Sequence, residues 1–336
     1  MKLPSNICKA LALSAMALGA CAAPLDALME AMPSQRYGEG YLELGSDAMN
    51  STLDVFKVRS QMGITDNTGD YQGFTLRAGR AFGNGGWLDG AYMRRNITVG
   101  ADQYPVTSWR VGAQQKLYEA PSKGAVLALR GAVWGNKSST ITKTNPSLGG
   151  VTVNSISAID PHDNQYQLDL VSSWYESQWS GSIFAGVGRG KVLIPRGLID
   201  LAGTIYTYPD DFSSVPSSLQ QHLGTLNYSL QTRQIGANVS YVSDAWMYRL
   251  GYVMGQMHRP SVDNAIQSLG HTSYQRNQTV VGEVAYKFSQ TVHAYTRAQV
   301  MHRQFLSEIP FLYNSITSPI FGMKYGVVSA GLGVSF

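Results

Sequence analysis

From Tyr325 to Phe336 the chain reads Tyr-Gly-Val-Val-Ser-Ala-Gly-Leu-Gly-Val-Ser-Phe, with apolar residues alternating with small or polar ones up to a final aromatic. Successive side chains on a β-strand point to opposite faces. Val328, Ala330, Leu332, Val334 and Phe336 therefore share one face, and Ser329, Gly331, Gly333 and Ser335 share the other. In water, an edge strand with such a greasy face invites aggregation. A closed barrel in lipid needs it, because its outer surface meets hydrocarbon while its inner surface does not.

The same residues resemble the carboxy-terminal assembly signal of bacterial outer-membrane β-barrels: polar Ser329, Gly331, hydrophobic Val334 and aromatic Phe336. The resemblance implies an integral β-barrel of the Gram-negative cell outer membrane, porin-like in class. Its implied partners are the barrel-assembly machinery, outer-membrane lipid and lipopolysaccharide.

The amino terminus agrees. Lys2 and Lys9 precede an apolar run from Ala10 to Ala20, followed by small residues, which is the layout of an export signal ending near residue 22. The run is too short for a transmembrane helix, which needs about 20 apolar residues. Leu18-Gly19-Ala20-Cys21 also resembles a lipobox, which makes Cys21 a candidate lipidation site; ordinary cleavage near Ala22 is the alternative. Cys8 leaves with the signal, so neither a disulfide scaffold nor a Cys-ligated metal is expected.

Alternating segments recur along the chain. Tyr166, Leu168, Leu170 and Trp174 lead into a short turn, and Trp179, Ile183, Ala185 and Val187 lead out. Ile235 to Tyr241 and Trp246 to Met254 repeat the arrangement, as do Val280 to Phe288 and Val292 to Val300. Trp and Tyr beside tight turns suit the headgroup layer of a bilayer. Charged residues make up only 14% of the chain, against about 25% in a typical soluble domain. The mean hydropathy of −0.12 still excludes a chain greasy throughout, as expected when half the strand positions face water. The net charge of +4 is dispersed, with no basic block to suggest nucleic acid as a partner.

Short turns alternate with long polar links near Lys137–His162, Val192–Tyr228, Arg259–Tyr274 and Gln304–Pro319. Short periplasmic turns and long extracellular loops are the rule for such barrels. Counting back from Phe336, with Leu53–Ile64 as the first upward strand, predicts an all-β, antiparallel up-and-down barrel of about 12 strands spanning residues 51–336. Residues 23–50 are read as a periplasmic or lumenal segment, with a first strand at Gly40–Ser46 as the alternative. Pairing that strand with a further one at Val151–Ile159 would give 14.

The strand register assigns the lumen Arg77, Arg110, Lys116, Arg130, Asp169, Arg249, Glu283, Lys287, His293, Tyr295, Arg297 and Gln299 as pore-lining residues. Their basic excess points to a channel for passive diffusion of small polar or anionic solutes. Alternatively, these charges pair with one another and brace a small barrel.

Two other classes compete. A lipid-modifying hydrolase needs Ser, His and a carboxylate or amide together, and His293 with Glu283 offers half of that. No Gly-x-Ser-x-Gly or His-Glu-x-x-His accompanies them, so no catalytic residue, cofactor or metal is expected. A surface receptor or an export port for polymer or protein is the other class, suggested by the aromatic link between Val192 and Tyr228, which is long enough to enter the lumen.

Overall fold

The computed structural model describes Leu28 and residues 39–49, 68–99, 102–120, 124–148, 151–303, 308–318 and 324–336. The export signal with Cys21, and the proposed strand at Leu53–Ile64, lie outside these residues. In chain order the strands are β1 (Gly40–Met49), β2 (Thr68–Phe82), β3 (Gly86–Val99), β4 (Asp102–Glu119), β5 (Val126–Lys137), β6 (Thr140–Thr144), β7 (Ser147–Leu148), β8 (Val151–Thr152) and β9 (Ser155–Ile159). They continue with β10 (His162–Glu176), β11 (Trp179–Leu193), β12 (Arg196–Leu201), β13 (Thr204–Tyr208), β14 (Tyr228–Val242), β15 (Trp246–His258), β16 (Arg276–Lys287), β17 (Val292–His302) and β18 (Lys324–Ser335). Among the described residues, the helices α1 (Ser217–Leu223) and α2 (Pro260–Ser268) lie in the connections.

Twelve of these strands close an antiparallel barrel in the order β1-β18-β17-β16-β15-β14-β11-β10-β5-β4-β3-β2. Closure runs through β1, which pairs with β2 on one side and β18 on the other. The amides of Glu39 and Gly40 donate to the Phe336 carbonyl at 2.9 Å each, and the Phe336 amide returns a 3.0 Å bond to Gly40. Gly40–Ser46 is thus a wall strand, in the place the count had given to Leu53–Ile64. The fourteen-strand alternative fails because Ser155–Ile159 pairs with β6 and β12 in a separate sheet.

Alternation of side chains drives this arrangement. Along β15 every second residue is buried, and Trp246, Tyr248, Leu250, Tyr252 and Met254 face outward. Leu168, Leu170, Ile183, Val187, Ile235, Val280 and Leu332 continue the exposed apolar band around the wall. At its lower edge Trp246 meets Tyr286 edge-on with ring centroids 4.9 Å apart, and Trp179 lies 4.9 Å from Tyr241. These rings form an interfacial girdle beside the periplasmic turns.

At that end the links are short: residues 83–85, 120–125, 177–178, 243–245 and 288–291. The fold-back at Gly83 and Gly85 takes φ of +52° and +76°, where a Cβ would strain the backbone. The extracellular links are long except between β3 and β4, which residues 100–101 join directly. Two long links fold together above the rim: β6 and β9 from one, and β12 and β13 from the other, form a four-stranded sheet. Under it Ile156, Ile199, Val215, Leu219, Leu223 and Leu226 make a separate apolar core. The link from Val192 to Tyr228 therefore builds a dome over the mouth, and β12 and β13 are committed to that sheet.

Candidate functional site

The site lies inside the barrel and at its extracellular mouth. Even-numbered positions of β10 face lipid and odd-numbered ones face inward, so Gln165, Gln167, Asp169, Val171 and Ser173 are buried in the lumen. The inner wall is uneven. From β1 to β5 it carries Glu43, Asp47, Arg77, Asp89, Arg95, Arg110 and Arg130, all buried. Farther round, Val171, Phe184, Val253 and Val281 make an apolar patch that includes Ala128 and Leu28. The Leu28 carbonyl accepts a hydrogen bond from the Arg249 guanidinium, which places that residue of the amino-terminal segment inside the barrel.

The lumenal charges are matched. Arg130 grips Asp89 through two parallel bonds of 2.7 Å, with neither side chain more than 1% exposed. Glu283 receives Arg249 at 3.1 Å and Arg297 at 3.8 Å. Glu43 lies between Arg77 at 3.7 Å and His293 at 3.3 Å. Asp169 accepts bonds from Gln167 at 3.0 Å and Gln234 at 2.7 Å. Charges this deeply buried need partners, because removing an ion from water costs several kcal/mol.

Of the residues assigned to the lumen, Arg77, Arg110, Arg130, Asp169, Arg249, Glu283, His293, Tyr295 and Arg297 are buried there. Gln299 is half-buried, and with its amide turned its oxygen accepts from the Arg297 guanidinium at 3.0 and 3.1 Å. Lys116 and Lys287 sit instead at the periplasmic rim. The first bonds the exposed Glu119 at 2.6 Å, and the second reaches the Ser243 carbonyl at 3.2 Å. His293 bonds Glu43 across the β1–β18 seam, whereas Glu283 is engaged by arginines. A basic excess also gives way to balance, because Glu43, Asp47 and Asp89 lie on strands where only the arginines had been counted.

The residues of the assembly signal divide between the two faces. Ser329 is buried inside, Val334 and Phe336 are exposed outside, and Gly331 lies under the Tyr295 ring.

The mouth is filled by residues 308–318, between β17 and β18. Ile309, Phe311, Leu312 and Tyr313 pack against Ile97, Tyr104, Val192, Leu230, Met257 and Val327, which belong to strands all round the rim. Polar ties hold the segment in place. Glu308 pairs with Arg95, and its carbonyl accepts from Asn136 at 2.7 Å. Tyr228 donates to the carbonyls of Pro310 at 2.6 Å and Tyr313 at 3.1 Å. The Arg259 guanidinium lies 4.0 Å above the Tyr313 ring. Burial pushes the Glu308 carboxyl above the usual range against the downward pull of Arg95. Ile309-Pro-Phe-Leu-Tyr313 is an apolar run inside a link, and that was the available signal for insertion.

A Ser–His contact also occurs in this region. His222 Nδ1 lies 2.9 Å from Ser315 Oγ, which is 3.0 Å from Thr225 Oγ1. All three side chains are buried, and burial together with His271 holds the imidazole below its usual pKa. The contact braces α1 against the inserted segment. Among the described residues, no three His, Cys, Asp or Glu side chains converge to hold a metal.

No family model and no curated protein matches the chain. Solved structures do resemble it in fold. The translocator domain of the autotransporter NalP from Neisseria meningitidis is 10% identical, with 88% of this chain and 89% of that one covered at a TM-score of 0.51. The NanC porin is 8% identical over 88% and 100% at 0.45, and LpxR from Salmonella typhimurium 7% over 88% and 100% at 0.43. A closed twelve-strand barrel, an outward apolar band with an aromatic girdle, and the likeness of fold to the NalP translocator domain together identify the chain as an integral outer-membrane β-barrel protein.

Proposed function

We propose that this barrel is a channel for small polar or anionic solutes, closed in this conformation by residues 308–318. One observation carries the reading. Among the described residues, the segment packed into the mouth is one link, fastened to a polar, charged wall largely through the Arg95–Glu308 pair and the bonds from Asn136 and Tyr228. Withdrawal of that link would take the Glu308 carboxylate away from Arg95 at the entrance. A cationic constriction lowers the barrier for anions. The lumen below is braced by matched charges, which keeps it polar without favouring either sign. The reading is non-enzymatic, because the Ser315–His222 contact is buried and serves packing.

Planar-bilayer recording tests this. The wild-type protein is expected to show rare openings, and Glu308→Ala frequent stepwise conductance with anions preferred in a salt gradient. Absence of conductance in both proteins, each verified as folded by heat-modifiable migration, would overturn the channel. Strong cation preference would overturn the role of Arg95.

A further inference from the structure

Lys191 and Arg189 on β11, Arg233 on β14 and Arg276 on β16 all point outward, away from the lumen, and are exposed. The register brings them together. Arg189 is opposite Gln231, Arg233 is opposite Val187 and Gln256, and Gln256 is opposite Arg276. Arg189 and Arg233 are diagonal neighbours, about 7–8 Å apart at Cα for such a pair. Among the described residues none of the four cations pairs with a carboxylate. Outward positions of β10, β11, β14, β15 and β16 carry one carboxylate, Glu176, and it lies at the periplasmic end.

Like charges at this spacing repel unless an anion lies between them. Their height is equally specific. On each strand the cation follows directly above the last apolar outward residue: Val187 before Arg189, Ile235 before Arg233 and, past Gln278, Val280 before Arg276. Near the interface an outward arginine costs little, whereas at mid-bilayer it costs about 2–4 kcal/mol. A shallow depression at this level is lined by Tyr166, Leu168, Val187, Arg189, Gln231 and Arg233. Its lower part is apolar and its upper part cationic.

We propose that this face binds a phosphate-bearing lipid of the outer leaflet, with headgroup phosphates on Arg189, Lys191, Arg233 and Arg276. Its acyl chains lie on Leu168, Val187 and Ile235. The apolar floor commits the site to a lipid, because free phosphate would gain nothing from it. Two phosphates on one headgroup fit the spread of the cations over neighbouring strands better than one.

The test uses the full-length barrel in phosphatidylcholine nanodiscs with or without bisphosphorylated lipid A, and reads bound lipid A by native mass spectrometry. The wild type is expected to retain it, and Arg189→Gln/Arg233→Gln/Arg276→Gln to bind about a hundredfold more weakly, from roughly a factor of five per cation near a membrane surface. Arg94→Gln, an outward arginine on β3 between Phe74 and Thr107, is expected to bind as wild type. Equal retention by the triple variant, with heat-modifiable migration intact, overturns the site. Competition by inorganic phosphate at concentrations that leave the bilayer unchanged also overturns it, in favour of a soluble-anion site. If the triple variant fails to fold, Arg233→Gln alone carries the test: about fivefold weaker binding supports the site and unchanged binding overturns it.

Discussion

Arg95 on β3 and Glu308 in the link before β18 form an ion pair at the extracellular mouth, although 213 positions separate them in the chain. Both side chains are almost fully removed from solvent. Breaking a buried pair by truncating one partner typically costs about 3–5 kcal/mol, because the other charge stays buried. Glu308→Ala is therefore expected to release the segment while the barrel remains closed. Limited proteolysis should cut within residues 308–318 of the variant and spare the wild type. Arg95→Met/Glu308→Leu, which removes both charges, should restore much of the protection.

The same pair sets a pH dependence. In the inserted segment burial raises the Glu308 carboxyl above its ordinary value of 4.5, with Arg95 pulling down and Asp47 pushing up. A withdrawn segment returns it to that value, so the inserted form binds the proton more tightly. Insertion is strongest at pH below 4.5 and weakens as pH rises through the raised pKa. Open probability should accordingly increase from acid to neutral pH, and Glu308→Gln should flatten the curve. An opposite slope in the wild type would contradict the assignment.

Tyr295 leans over the seam between β1 and β18, with its ring against Gly331 and its hydroxyl against Gly45. A Cβ at either glycine would strike the phenol or the backbone of the adjoining strand. Gly331→Val is expected to destabilise the barrel by about 1–3 kcal/mol through overpacking. Urea unfolding in liposomes measures this. Tyr295→Ala in the Gly331→Val background should recover part of the loss, since it frees the space that the new side chain needs.

Depth in the bilayer supplies a further check on the register. Leu250 is outward at the centre of β15, and Gln256 is outward near its extracellular end. Leu250→Arg should cost about 2–4 kcal/mol and Gln256→Arg about 0–1. Equal penalties from folding titrations into liposomes would place β15 at another height.

Much of this was legible in the residues. Alternation in segments such as Trp246–Met254 marks strands because one face must meet hydrocarbon, and the spacing of Trp and Tyr marks the turns. The first strand was harder. Gly40-Tyr-Leu-Glu-Leu-Gly-Ser46 alternates as well as Leu53–Ile64 does, and only hydrogen bonding to Phe336 and pairing with β2 identify it as the closing strand. Inward positions follow from the period of two, and Arg77, Arg130 and Arg297 are buried. The carboxylates Glu43, Asp89 and Glu308 did not follow, because they reach Arg77, Arg130 and Arg95 from other strands and from a distant link. Local periodicity carries no information about which strands become neighbours.

The amino-acid sequence by itself determined an antiparallel barrel with an apolar outer band, its orientation, and which side chains turn inward. Those properties depend on a two-residue repeat and on the mismatch between charge and lipid, both local. Tertiary structure alone decided that β1 closes the barrel, that lumenal arginines meet carboxylates, and that Ile309–Tyr313 fills the mouth while the Val192–Tyr228 link forms a dome. Each depends on contacts between segments far apart in the chain, where packing and the cost of an unpaired buried charge select one arrangement among many of similar local character.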